Sequence, residues 1–365
     1  MPSRRVAGLF LSVLSCLCTA FGPPVITDSD VPRQSLTLDQ MRAVCPIPTP
    51  DVTAASAILV SPTTGQILFA HNEHERRAPA SLVKIVTALV ALQRGRQDQE
   101  LRVNRGDLQL YSAARVWLGE NLNVRKSLFL LLIPSDNVAA MTLARGLAGD
   151  VDTYVQWMNE LVASWGLVDT HFVNPHGLDA EGAYTTAYDM AIIARYAMRD
   201  AIIAEIVGCP EAIIDGRKVE STNQLLNAYP GAIGIKTGTT DRAGECLIAV
   251  VDRPSGQALS VVLGADDRVY DTRLLLDYFY ATCAELRIDL PQTPQNRYLD
   301  ENGDWHEIRM RDPITFLVSP WQVGTASFYR RIDDVSANPD LDKPVGALEV
   351  TLAGQRLAEV PLYVR

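Results

Sequence analysis

Apolar positions along the chain fall into runs of two periods, separated by turn-forming residues. Ala57-Ile-Leu-Val60 and Gln66-Ile-Leu-Phe-Ala70 flank Ser61-Pro-Thr-Thr-Gly65, and two short β-prone runs around such a segment predict a hairpin. The run 81–92 contains no Gly or Pro; it is too long for one strand and predicts a helix. A mostly helical middle follows, with segments at 124–132 and 138–147. Residues 246–251 and 258–263 flank Pro254-Ser-Gly256 as a second hairpin, and 268–286 returns to helical spacing. Beyond Leu290 come Pro291, Pro294 and short strand-like segments, with a tight-turn signal at Asn302-Gly303. The pattern therefore predicts an extended lead-in over 21–52, a mixed helix-and-strand domain over 53–289 and a small all-β module over 290–365. No internal repeat is visible.

The first twenty residues belong to none of these. Arg4 and Arg5 precede an apolar stretch over 6–17, and Cys18-Thr19-Ala20 offers a small-residue cleavage site. That is the form of an export signal, and the apolar run is too short to cross a bilayer comfortably. Cys16 only loosely resembles a lipoprotein site, and lipidation is not expected. The formal charge is −10; losing two arginines with the signal makes it −10 − 2 = −12. Such a balance excludes nucleic acid as a partner, because phosphates demand a concentrated basic surface. Export permits disulfides among Cys45, Cys209, Cys246 and Cys283, and free buried cysteines fit equally well. No C-x-x-C pair and no H-E-x-x-H is present, so neither a metal nor a cofactor is expected.

Three short segments carry chemistry. In Pro79-Ala-Ser-Leu-Val-Lys84, Pro79 favours an extended approach and Ser81 falls in the first turn of the predicted helix. Residues i and i+3 share a helix face, so the Lys84 amine can reach the Ser81 hydroxyl. Serine is a weak nucleophile that needs a base, and lysine serves as one only when burial lowers its pKa. Leu82, Val83, Ile85 and Val86 supply apolar surroundings. Alone the pattern is weak, since an N-capping serine beside a solvated lysine reads the same way. Ser135-Asp136-Asn137 follows Pro134 between two helical stretches; it is a helix cap, or a hydroxyl and an amide set for proton relay and substrate holding. Gly234-Ile-Lys-Thr-Gly-Thr239 precedes the second hairpin. Gly238 permits close backbone approach, while Lys236, Thr237 and Thr239 suit a carboxylate; the alternative is a turn with an exposed lysine. The phosphate-loop spacing is not met.

Ser-x-x-Lys, Ser-x-Asn and Lys-Thr-Gly in that order are the signature of penicillin-binding proteins and serine β-lactamases. Phe172-Val-Asn-Pro-His-Gly-Leu178, Tyr184-Thr-Thr-Ala-Tyr-Asp189, 229–238 and 345–350 extend the likeness over nearly the whole chain after the signal. The chain resembles the low-molecular-mass D-alanyl-D-alanine carboxypeptidases of peptidase family S11. The resemblance implies an α+β, β-lactamase/transpeptidase-like fold: an antiparallel sheet flanked by helices, a mostly helical subdomain and a C-terminal β domain. It also implies an exported enzyme of the periplasm or cell envelope, acting on peptidoglycan stem peptides that end in D-Ala-D-Ala and acylated by β-lactams. Ser81 would be the nucleophile, Lys84 its base, and Ser135 and Asn137 would complete the catalytic set. Lys236, Thr237, Gly238, Thr239 and, by its distance to Leu275-Leu276, Arg268 would bind the substrate carboxylate. His176 is read as structural.

Two departures stand out. Asp136 occupies a position where the family usually has glycine, and the chain ends on Val360-Pro-Leu-Tyr-Val-Arg365, which reads as a strand where many relatives carry an amphipathic membrane helix. Membrane association is thereby left open. Two other functions compete: a β-lactamase, for which Asn159-Glu160-Leu161 does not supply the deacylating glutamate motif, and a non-catalytic wall-binding protein that keeps only the cleft.

Overall fold

The structure, a computed structural model, describes residues 48–290, 296–352 and 354–365. The expected signal, most of the lead-in and Cys45 lie outside these residues. Two compact units are present, 48–285 and 286–365.

In the first unit the predicted hairpin is β1 (Ser56–Val60) and β2 (Ile67–His71). Three long strands form late in the sequence: β3 (Ala232–Thr240), β4 (Gly244–Arg253) and β5 (Gly256–Ala265). Together they make one antiparallel sheet in the order β2-β1-β5-β4-β3, with Ala57 opposite Val262 and Gly238 opposite Cys246. The strands are apolar on both faces because both are covered. Ile58, Val60, Ile248, Val250, Val261 and Leu263 join Met190 and Ile193 in one continuous core. Alternate positions such as Ala57, Leu59, Leu247 and Val262 are also buried, as period-two side chains must be when the second face is packed too.

The helices of seven residues or more are α1 (Lys84–Arg94), α2 (Val124–Leu132), α3 (Asn137–Ala148), α4 (Val151–Ser164), α5 (Ala187–Ala197), α6 (Ala201–Val207) and α7 (Arg268–Thr282). Side-chain caps start six of them: Asn123, Asp136, Asp150, Thr186, Asp200 and Asp267 each accept from a backbone N–H of the first turn. Helix α1 is the exception. It is buried at every residue from Lys84 to Ala91 and packs against α2, α3, α4 and α5, so its position is fixed by its surroundings on all sides. At about 1.5–3 kcal/mol per fully buried large aliphatic side chain, that packing dominates over the missing cap.

Two expectations are corrected. The helical run over 268–286 stops at Thr282; Cys283 is extended and Ala284–Ile288 is a strand whose burial alternates. The alternation is a period-two signal hidden at the end of a period-3.6 run. Pro79 is not extended: its φ of −76° is joined by a ψ of −19°, because the Pro79 carbonyl accepts from Leu82 N and closes a turn. The ring fixes φ alone.

The second unit is an antiparallel sheet of β6 (Arg297–Leu299), β7 (Trp305–Arg309), β8 (Ala326–Ile332), β9 (Gly346–Leu352) and β10 (Gln355–Val364), in the order β6-β7-β10-β9-β8. Asn302-Gly303 sits between β6 and β7, with Gly303 at a φ of +87°. The C-terminal run 360–364 lies in β10 as a strand. Among the described residues no helix is long and apolar enough to cross a membrane, and Cys209 and Cys246 are free thiols.

Candidate active site

Ser81 lies in a 3-10 turn, Ala80–Val83, that runs directly into α1. The residue before it, Ala80, has a φ of +46°, a left-handed conformation that residues with a Cβ seldom adopt. Backbone strain of this kind persists only where surrounding structure over-determines it, and here two glycines press on the turn. A Cβ on Gly177 would fall 2.0 Å from the Ala80 carbonyl oxygen, and one on Gly238 would meet Ala80 Cβ at 2.9 Å and Ser81 N at 3.1 Å. Loop and strand both reach the nucleophile turn because neither has a side chain there.

Lys84 carries the central interaction. Its Nζ is 2.8 Å from Ser81 Oγ, 2.8 Å from Asn137 Oδ1 and 2.7 Å from the His176 carbonyl oxygen. The side chain is fully buried. Burial pushes its pKa down to about 7, against an upward pull from the Asp136 carboxylate. The neutral amine has two hydrogens and one lone pair. Asn137 Oδ1 and the His176 carbonyl accept the two hydrogens, which leaves the lone pair for the Ser81 O–H. In its neutral form the amine is thus placed to draw the proton from Ser81 Oγ; protonated, it donates to all three oxygens.

The third segment forms the facing wall on β3. Lys236 is buried and donates to the Thr237 carbonyl at 3.0 Å; burial first, then Lys84 and Arg268, hold its pKa well below the ordinary lysine value. Thr237 Oγ1 donates to Thr222 Oγ1 at 2.6 Å. Arg268, at the start of α7, donates from Nη1 to the Gly238 carbonyl at 3.1 Å and to Thr239 Oγ1 at 2.6 Å. The hydroxyls of Thr237 and Thr239 on β3, the buried Lys236 amine beside them and the Arg268 guanidinium reaching over from α7 are groups able to receive a carboxylate. Ser135 has a φ of +63° and a buried Oγ that lacks a hydrogen-bond partner among the described residues.

The three segments come together: Lys84 bonds Ser81 and Asn137, and Gly238 of β3 lies against Ala80 and Ser81. Sequence reasoning missed two contributions. The His176 imidazole accepts from Leu178 N through Nδ1, and burial, then Lys84, lower its pKa to about 4, so the ring is neutral. It is the backbone carbonyl of the same residue that touches Lys84. Thr222 is the other, an unremarked hydroxyl that orients Thr237. One turn beyond Lys84, Thr87 Oγ1 donates to the Pro175 carbonyl at 2.7 Å and so ties the loop carrying His176 to α1.

Gly177→Ala is consequently expected to be costly, since the colliding Ala80 atoms are backbone and the φ at 177 is +84°. Destabilisation of about 1–3 kcal/mol and acylation slowed by about 100-fold are expected, measured by denaturant unfolding and by β-lactam acylation kinetics. Wild-type values for both would show that the loop relaxes without disturbing Lys84.

Comparison with known proteins agrees with this geometry. A family model described as peptidase S11, D-alanyl-D-alanine carboxypeptidase, matches residues 43–267. D-alanyl-D-alanine carboxypeptidase DacA of Escherichia coli (strain K12) is 30% identical over 379 residues, covering 97% of this chain and 91% of the relative. DacF of Bacillus subtilis (strain 168) is 29% identical over 330 residues, covering 86% and 85%. The crystal structure of penicillin binding protein 6B from Escherichia coli superposes with a TM-score of 0.69 at 27% identity, over 86% of this chain and 96% of that one. Penicillin-Binding Protein D2 from Listeria monocytogenes, solved in an ampicillin-bound form, gives 0.59 at 30% identity, over 63% and 98%. The chain belongs to the peptidase S11 family of D-alanyl-D-alanine carboxypeptidases.

Proposed function

We propose that this enzyme removes the terminal D-alanine from peptidoglycan stem peptides ending in D-Ala-D-Ala, through an acyl-enzyme on Ser81. The observation that carries the reading is the Lys84 amine held between Asn137, His176 and Ser81. Ser81 Oγ attacks the carbonyl carbon of the penultimate D-alanine while its proton passes to Lys84 Nζ. The backbone N–H groups of Ser81 and Thr239 take the developing oxyanion. The C–N bond then breaks, and the leaving amine collects a proton through the Ser135 hydroxyl. Water attacks the resulting ester, Lys84 accepts its proton, and Ser81 is regenerated. Lys236, Thr237, Thr239 and Arg268 hold the substrate's terminal carboxylate, and Gly238 lets the substrate backbone lie against β3.

The same nucleophile opens a β-lactam ring, so penicillins would act as covalent inhibitors. The β-lactamase alternative gains nothing from Glu160, which is exposed and takes a hydrogen bond from Gln156. The basic, apolar, small-residue order of residues 1–20 supports export to the periplasm or cell envelope.

The test compares a D-Ala-D-Ala pentapeptide with a chromogenic cephalosporin, alongside mass spectrometry of the enzyme treated with labelled penicillin. Release of D-alanine, slow cephalosporin turnover and an adduct on Ser81 are expected. Rapid cephalosporin hydrolysis without D-alanine release, or an adduct on another residue, would overturn the assignment.

A further inference from the structure

The turn between α2 and α3 places a buried carboxylate between two groups of the site. Asp136 has no solvent exposure. One oxygen, Oδ1, accepts from Ala139 N at 2.8 Å and opens α3. The other, Oδ2, accepts from Ser112 Oγ at 2.6 Å and Ala114 N at 2.8 Å. Ser112 Oγ in turn accepts from Val116 N at 2.9 Å. A single side chain thereby joins the start of a helix to the segment 112–116. Helix capping alone does not call for this arrangement, because Ser or Thr would cap α3 without burying a charge.

We infer that Asp136 is a positioning residue for acyl transfer, holding Ser135 and Asn137 against the Lys84–Ser81 pair and fastening the segment 112–116 to the same turn. The inference rests on the roles of Ser81 and Lys84 proposed above. Ser135 supports it from one side: its left-handed φ of +63° is sustained where the next residue is locked by three side-chain hydrogen bonds and by Asp136 N donating to the Leu130 carbonyl at 3.0 Å. Asn137 supports it from the other, since its Oδ1 takes a Lys84 hydrogen only if the first turn of α3 stays in place.

The carboxylate has an electrostatic effect as well. The titratable groups that face Lys84 are Asp136 from this turn, His176 from the loop packed on α1 and Lys236 from β3. Asp136 is the anion among them, and it opposes the loss of basicity that burial imposes. Without it the Lys84 amine would give up its proton at lower pH and accept one from Ser81 less readily.

Two variants separate these effects, with penicillin acylation rates followed across the pH range on either side of 7. In Asp136→Asn the acid limb is expected to move down by about one pH unit, with the plateau rate reduced about 10- to 100-fold. Ser112→Ala keeps the charge and loosens the segment, so its limb stays in place while the plateau falls. An Asp136→Asn plateau at the wild-type rate would reduce Asp136 to a structural cap and overturn the inference, wherever the limb falls. Should that variant not fold, Asp136→Glu retains the charge and displaces the tether: a wild-type limb with a lowered plateau supports the inference, and full wild-type rates overturn it. Failure of the underlying reading is distinguishable, because the wild-type enzyme would then carry no adduct on Ser81.

Discussion

Lys84→Met is expected to slow acylation by about 1,000-fold while leaving a folded protein. The methionine side chain has nearly the length of lysine and enters a fully buried position on a helix whose residues from Lys84 to Ala91 are all buried. It leaves Asn137 Oδ1 and the His176 carbonyl without their donor, at a cost of about 1–3 kcal/mol each. It also removes a buried amine whose desolvation the wild-type protein must bear, which offsets part of that loss. What cannot be offset is the lone pair directed at Ser81 Oγ. The sign of the pH dependence follows from the same group. Lys84 titrates near 7; below that value the amine is protonated and cannot accept the serine proton, so wild-type acylation should fall as pH drops through 7. The residual rate of Lys84→Met should lack that limb. Stopped-flow acylation with a β-lactam reads both quantities, and an unchanged rate would remove Lys84 from its role as base.

Much of this site could be read in the sequence because its chemistry is local. Ser81 and Lys84 are three residues apart on one helical turn, and the apolar run they open already implied a buried helix. Segment 234–239 was readable as a ligand-facing stretch through Gly238 and its hydroxyls and as a neighbour of the second hairpin through its place in the chain, and it lies in β3 at the edge of that sheet. One cap was legible too: Ser135-Asp136-Asn137 was readable as a helix cap, and Asp136 is the residue that caps. What could not be read depends on atoms without a side-chain signal or on contacts between distant segments. The His176 carbonyl is a backbone oxygen 92 positions from Lys84 in the chain, and any residue type could have supplied it. The left-handed φ at Ala80 is set by Gly177 and Gly238 pressing from two other elements, and nothing in Pro-Ala-Ser specifies it. Thr222 became visible only once β3 lay beside it. The misread helix end at 283 has the opposite cause: its local apolar pattern was compatible with either period, and tertiary pairing decided.

Ser81→Ala should separate binding from chemistry more cleanly than any other change. It deletes one oxygen, leaves the turn Ala80–Val83 its packing, and leaves Lys84 with both carbonyl acceptors. The groups proposed to bind the carboxylate do not depend on the hydroxyl: Arg268 is braced by the Gly238 carbonyl and Thr239, and Thr237 by Thr222. D-alanine release is therefore expected to fall by at least about 10,000-fold and the penicillin adduct to vanish, while the Kd for a D-Ala-D-Ala peptide changes by less than about fivefold, in keeping with loss of one neutral hydrogen bond. Release assays and peptide titration measure the two separately. Retained release would place the nucleophile elsewhere. A Kd that collapses along with the rate would mean that the Ser81 hydroxyl recognises the ground-state substrate, and the division of labour between the α1 turn and β3 would have to be redrawn.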